Sequence, residues 1–107
     1  MRSALNKIIN YAVEVARPER IVLFGSLARG TTNLYSDIDL LIVTNDSFIR
    51  RDLALRISEF ARECSVSADV LVHTPAQIAE AAMEPNSFLH QVVAYGEIVY
   101  EKVDLDS

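Results

Sequence analysis

Two short apolar runs, Ile21-Val-Leu-Phe24 and Leu40-Leu-Ile-Val43, lie on either side of Gly25-Ser26 and an Asp37-Ile-Asp39 step, and this segment limits what the chain can fold into. Runs of this length, bounded by turn residues, are strand-sized and far short of the roughly 20 residues that cross a bilayer. The second run is apolar on both faces beyond its aspartates, which predicts a central strand. A glycine and a serine directly after a strand can offer backbone amides and a hydroxyl to phosphate oxygens. Asp37 and Asp39, two apart on extended chain, point to one face.

The remaining pattern alternates helices and strands. Leu5, Ile8, Ile9, Ala12, Val13 and Ala16 recur at helical spacing and predict a helix over 3–16, stopped by Arg17-Pro18. A strand over 20–24 follows, then a short helix or turn over 26–30, a polar loop over 31–36 and a strand over 37–43. Ser47 is expected to cap a second helix whose inner face is Ile49, Leu53, Ile57, Phe60 and Cys64, with Arg50, Arg51, Asp52, Glu59 and Glu63 mostly outside. A third strand is read at 68–73. Thr74-Pro75-Ala76-Gln77 reads as a capping box with proline at the first helical position, opening a helix that ends before Pro85. A fourth helical piece from Asn86 is expected to turn Phe88, Leu89, Val92 and Val93 inward and to end at Gly96, with a last strand at 98–101. The expected organisation is one domain over 1–103 with a loose tail over 104–107.

Composition bounds the function classes. The 107 residues carry a formal charge of -5, which argues against a protein that holds nucleic acid through a basic surface. With a single cysteine, Cys64, no internal disulfide can form, and a reducing, cytoplasmic location is expected, with no membrane segment. Cys64 reads as a small packed residue. His73 and His90 have no spacing to each other or to the cysteine that suggests zinc, and read as structural or exposed.

The third aspartate that matters is Asp69, inside Ala68-Asp-Val-Leu-Val72. Carboxylates are depleted in strands, so three of them opening or interrupting apolar runs call for compensation. A divalent metal would supply it, because Mg2+ prefers oxygen ligands and takes a few carboxylates plus substrate phosphates. The plainer alternative is that Asp37 and Asp39 end a loop in water and Asp69 pairs with an arginine. Gly25 and Gly30 have the glycine spacing of a P-loop, but Thr31 stands where that motif requires lysine, so the P-loop reading fails.

Taken together, the order strand, Gly-Ser, ten intervening residues, Asp-x-Asp, helix and a third aspartate on another strand resembles the polymerase beta-like nucleotidyltransferase superfamily, and within it the minimal nucleotidyltransferases, or MNT-domain proteins. The residues that carry this resemblance are Gly25, Ser26, Asp37 and Asp39, with Ala28-Arg29-Gly30 and Ser36 also typical. It implies an α/β (α+β) fold, a mixed β-sheet flanked by helices. It implies that Gly25 and Ser26 hold the triphosphate, that Asp37 and Asp39 ligate two Mg2+ ions, and that Asp69 ligates one and helps activate the incoming hydroxyl. Arg29 has even claims to reach a phosphate or to brace its loop. Ser36 reads as a turn cap and Tyr35 as a loop aromatic. ATP is the implied substrate.

Such minimal proteins are often encoded with a HEPN-domain ribonuclease and can silence it by adenylylating a tyrosine, so a HEPN-type partner, or a second copy of the chain, is expected to complete the acceptor surface. Two competing functions stand beside this one: a non-catalytic antitoxin acting by occlusion, which would not need three aspartates, and an enzyme modifying a small aminoglycoside-like acceptor, which would need a second domain.

Overall fold

The computed structural model of the chain describes residues 2–24, 38–45 and 50–103. Its elements are α1 (Arg2–Ala16), β1 (Arg20–Phe24), β2 (Ile38–Val43), α2 (Arg50–Glu63), β3 (Ala68–His73), α3 (Pro75–Ala82), α4 (Phe88–Tyr95) and β4 (Glu97–Glu101). The four strands form one mixed sheet in the order β3-β2-β1-β4. β1 is antiparallel to both β2 and β4, whereas β2 and β3 are parallel. The parallel pair needs a crossover, and α2 supplies it. β2 is the central strand that its apolar run predicts, with five of its six residues buried.

The alternation of side chains on the strands builds two cores. On one face Ile21 and Leu23 of β1, Ile38, Leu40 and Ile42 of β2 and Val72 of β3 meet Leu5, Ile8 and Ala12 of α1 and Ile57 and Ala61 of α2. Tyr11 of α1 stacks flat on Phe60 of α2, ring centroids 4.3 Å apart with planes 2° from parallel. On the other face Val22, Leu41 and Val43 pack with Val92 of α4, joined by Leu71, Ile78 and Leu89. Thr44 is the buried polar residue of the described chain. Its hydroxyl donates to the Ala16 carbonyl at 3.0 Å, which satisfies an end of α1 that has no partner within the helix.

Two expectations about α4 need correction. Phe88 and Val93 do not turn inward; they are 60% and 39% exposed, and the inward residues are Val92 and Leu89. A helix of eight residues covers the sheet with one narrow stripe, and Phe88 sits at its rim, edge-on to Phe24 with ring centroids 5.8 Å apart. Gly96 does stand at the C-cap, but in extended backbone (φ -78°, ψ 166°), not in the left-handed conformation typical of a glycine cap. Glycine is required there because a Cβ would come within 2.5 Å of both Val22 Cγ1 and the Val92 carbonyl oxygen.

The capping box forms as its four residues predict. Gln77 N–H donates to Thr74 Oγ1 at 3.2 Å, and Thr74 N–H donates to Gln77 Oε1 at 2.9 Å. His73 Nδ1 lies 3.2 Å from that same Gln77 oxygen, a structural position in accord with the sequence. Cys64 follows α2 in the turn before β3 and is half-buried. The expected turn over 26–30, the loop over 31–36 with Tyr35 and Ser36, Ser47, Ile49 and the tail over 104–107 lie outside the described residues.

Candidate active site

Asp39 and Asp69 are direct register partners across the parallel β2/β3 pair. Partners in a ladder share a face, and strand alternation places Asp39 with Leu41 and Asp69 with Leu71, on the face that carries α3 and α4. Neighbouring strands run about 4.8 Å apart, so the two carboxylates leave the sheet side by side. Phe24, the last residue of β1, is the register partner of Asp39 on its other side. One row across the sheet therefore reads Phe24, Asp39, Asp69. The chain enters residues 25–37 from Phe24 and returns at Ile38, so both ends of the segment containing Gly25, Ser26, Arg29 and Asp37 are anchored at this row. Those four residues themselves lie outside the described part of the chain.

The electrostatics of the row differ from what the sequence suggests in one respect. Asp69 is exposed, because β3 is an edge strand, and Asp39 is half-buried. An aspartate inside an apolar stretch need not be a buried one. What calls for compensation is the side-by-side placement, since like charges directly opposite one another on neighbouring strands repel. Among the described residues no group of three or more His, Cys, Asp or Glu could hold a metal ion. The described part of the site supplies two hard oxygen donors on one face, a donor set of the kind Mg2+ takes. It fits that ion in chemistry.

Two adjoining cavities border Asp69 from the α2 side of the sheet, one of about 500 Å3 reaching Arg62 and Ser65, the other of about 290 Å3 reaching Arg51 and Leu55. They follow the outer edge of β3 and meet the Phe24–Asp39–Asp69 row at Asp69 alone. Sequence reading counts Arg51 among the solvent-facing residues of α2 and finds nothing more in it; the spacing of Arg51, Leu55, Ser58 and Arg62, alternately four and three apart, is the overlooked signal.

A mixed four-stranded sheet with flanking helices and a carboxylate row at the end where a Gly-Ser segment leaves β1 defines the class of nucleotidyltransferase-like folds. Residues 6–104 match the family model described as polymerase beta, nucleotidyltransferase, and the chain belongs to that family. Family membership implies a nucleoside triphosphate substrate and, usually, a divalent metal. No curated protein matches the chain in sequence. Among solved structures it is similar to a protein of Sulfolobus solfataricus provisionally assigned as a nucleotidyltransferase, at 19% identity and TM-score 0.62, over 94% of this chain and 79% of that one. It is also similar to a structure described as the toxin-antitoxin with AMP-PNP, at 22% identity and TM-score 0.59, over 90% of this chain and 73% of that one. At these identities the likeness is one of fold.

Proposed function

We propose that the chain is a Mg2+-dependent nucleotidyltransferase that moves a nucleoside monophosphate, AMP from ATP, onto a hydroxyl of a partner protein, and that it acts as the antitoxin of a HEPN-type toxin. The observation that carries this reading is the side-by-side placement of Asp39 and Asp69 at the end of the sheet from which the Gly25-Ser26 segment departs. In the proposed arrangement Gly25, Ser26 and Arg29 hold the triphosphate. Asp37, Asp39 and Asp69 would hold the cations. When bound, these cations offset the charge of phosphates and carboxylates and stabilise the attacking and leaving oxygens. Asp69, on the exposed edge strand, stands where an incoming hydroxyl can reach it. It accepts the hydroxyl proton as the oxygen bonds to the α-phosphorus, and the bond from that phosphorus to the pyrophosphate oxygen breaks.

Two observations support a protein acceptor. A similar fold occurs in a toxin-antitoxin structure holding AMP-PNP, and α4 exposes Phe88, Val93 and Tyr95, with Ile98 of β4 also exposed. Phe88 and Tyr95, seven positions apart, share one face of the helix, and exposed apolar surface of this kind marks interaction sites. The same surface gives the occlusion reading its footing, since binding through α4 needs no carboxylate.

Mass spectrometry of the chain co-expressed with a HEPN-type protein from the same genome separates these readings. An added adenosine monophosphate on the partner, absent with Asp39→Asn, is the expected result. Neutralisation by Asp39→Asn with no modification of the partner would establish occlusion instead. Labelling of an aminoglycoside by the isolated chain would replace both.

A further inference from the structure

β3 has one free edge. Ile38 N–H donates to the Ser67 carbonyl at 2.9 Å and Thr44 N–H to the His73 carbonyl at 3.0 Å. Odd-numbered residues along this strand thus turn their backbone groups toward β2, and Ala68, Val70 and Val72 turn theirs outward. No strand pairs with that edge among the described residues. Beside it runs a groove whose other wall is one face of α2, made by Arg51, Leu55, Ser58 and Arg62. Leu55 is 54% exposed. Arg51 and Arg62 are both exposed, and the single ion pair among the described residues joins Arg20 to Glu101, at the far edge of the sheet. In a chain of formal charge -5 this groove sets two cations, with no ion-pair partner among the described residues, beside an open strand edge; Asp69 also lines it, but strand alternation turns that side chain to the opposite face of the sheet.

We propose that the groove takes an extended acidic segment of a partner protein, added to β3 as an outer strand, with two carboxylates meeting Arg51 and Arg62 and an apolar side chain between them resting on Leu55. Strand addition provides affinity through main-chain hydrogen bonds, and the side chains on one face provide specificity. The dimensions set the spacing. Arg51 and Arg62 are about 16 Å apart along the helix, which flexible arginine stems can close onto carboxylates about 13 Å apart, four residues of extended chain. Because side chains alternate, carboxylates four apart share a face, whereas those three or five apart point to opposite faces. The backbone edge and Leu55 favour a peptide over a nucleic acid, whose affinity would rest on charge alone against a net-acidic domain. The inference stands whether or not the carboxylate row transfers nucleotides.

The test is fluorescence anisotropy with short labelled peptides of alternating valine and threonine that carry two glutamates three, four or five positions apart. The four-apart peptide is expected to bind saturably and about tenfold or more tighter than the other two. Arg51→Glu and Arg62→Glu should each weaken it by a similar factor. Val70→Pro should abolish binding with an unchanged far-UV circular dichroism spectrum, because the Val70 N–H faces outward and proline is tolerated on such an edge. If that variant does not fold, the two charge reversals, at exposed positions, decide the matter. Absence of saturable binding, indifference to glutamate spacing or to the arginine changes, displacement by a single-stranded RNA oligonucleotide, or self-association of the chain that Val70→Pro removes would each overturn the proposal.

Discussion

Asp39 and Asp69 sit opposite each other on parallel strands that the whole of α2 separates in sequence. Two carboxylates facing each other in one ladder position oppose the pairing of their own strands, so removing the charge of the exposed Asp69 is expected to cost function and spare the fold. Asp69→Asn should leave the urea midpoint unchanged or slightly raised, and should lower nucleotidyl transfer by about 100-fold or more. Denaturation and turnover of the same preparation check both halves. A large loss of stability would show that Asp69 has a structural partner instead.

Metal removal offers a second check on that row. Calorimetric titration with a non-hydrolysable ATP analogue should show binding in the presence of Mg2+ that disappears with a chelator, and Asp39→Asn should behave as the chelated wild type. Equal affinity with and without the ion would remove Mg2+ from the proposed site.

Gly96 can be tested for close approach as distinct from backbone conformation. Its φ of -78° is open to any residue, so the obstacle to Gly96→Ala is the contact with Val22 and the Val92 carbonyl. We expect a loss of about 1–3 kcal/mol. Gly96→Ala combined with Val22→Ala should recover part of that loss beyond simple additivity, read from urea unfolding of the double-mutant cycle.

Thr44 ties the end of α1 to the end of β2 through its hydroxyl. Thr44→Val keeps the volume and strands the buried Ala16 carbonyl, at an expected cost of about 1–3 kcal/mol, whereas Thr44→Ser should retain most of the stability. Thermal denaturation of the two variants distinguishes the hydrogen bond from the methyl group.

At the start of α3, Thr74→Ala should cost about 1 kcal/mol and Thr74→Gly only a few tenths, since the side chain accepts the Gln77 N–H. The same denaturation experiment reads both.

Strand limits at 20–24 and 68–73 and the capping box were legible because each rests on a local signal: a short apolar run between turn residues, or four residues that hydrogen-bond to one another. The inward face of α4 was not. Hydrophobicity marks Phe88 and Val93 as strongly as Val92, and only the sheet beneath them decides which one is covered. For the site, the shared face of residues two apart in a strand follows from alternation alone. The pairing of Asp39 with Asp69 does not, because the register of two parallel strands depends on how α2 packs across them. The groove beside β3 was likewise hidden, since an arginine at a helical surface position looks solvated until the strand edge it overhangs is known.

The order in which the strands meet has a kinetic consequence. β2, α2 and β3 are consecutive in the chain, whereas β4 joins the sheet only by pairing with β1, with Arg20 and Glu101 81 positions apart. Contacts between distant segments carry the larger loop-closure entropy and form late. A growing chain can therefore seat Asp39 beside Asp69 before its last strand is made. In the finished protein, transient opening at β4 would bare β1 while leaving the two aspartates in register, so amide exchange should be faster along β4 than along β2.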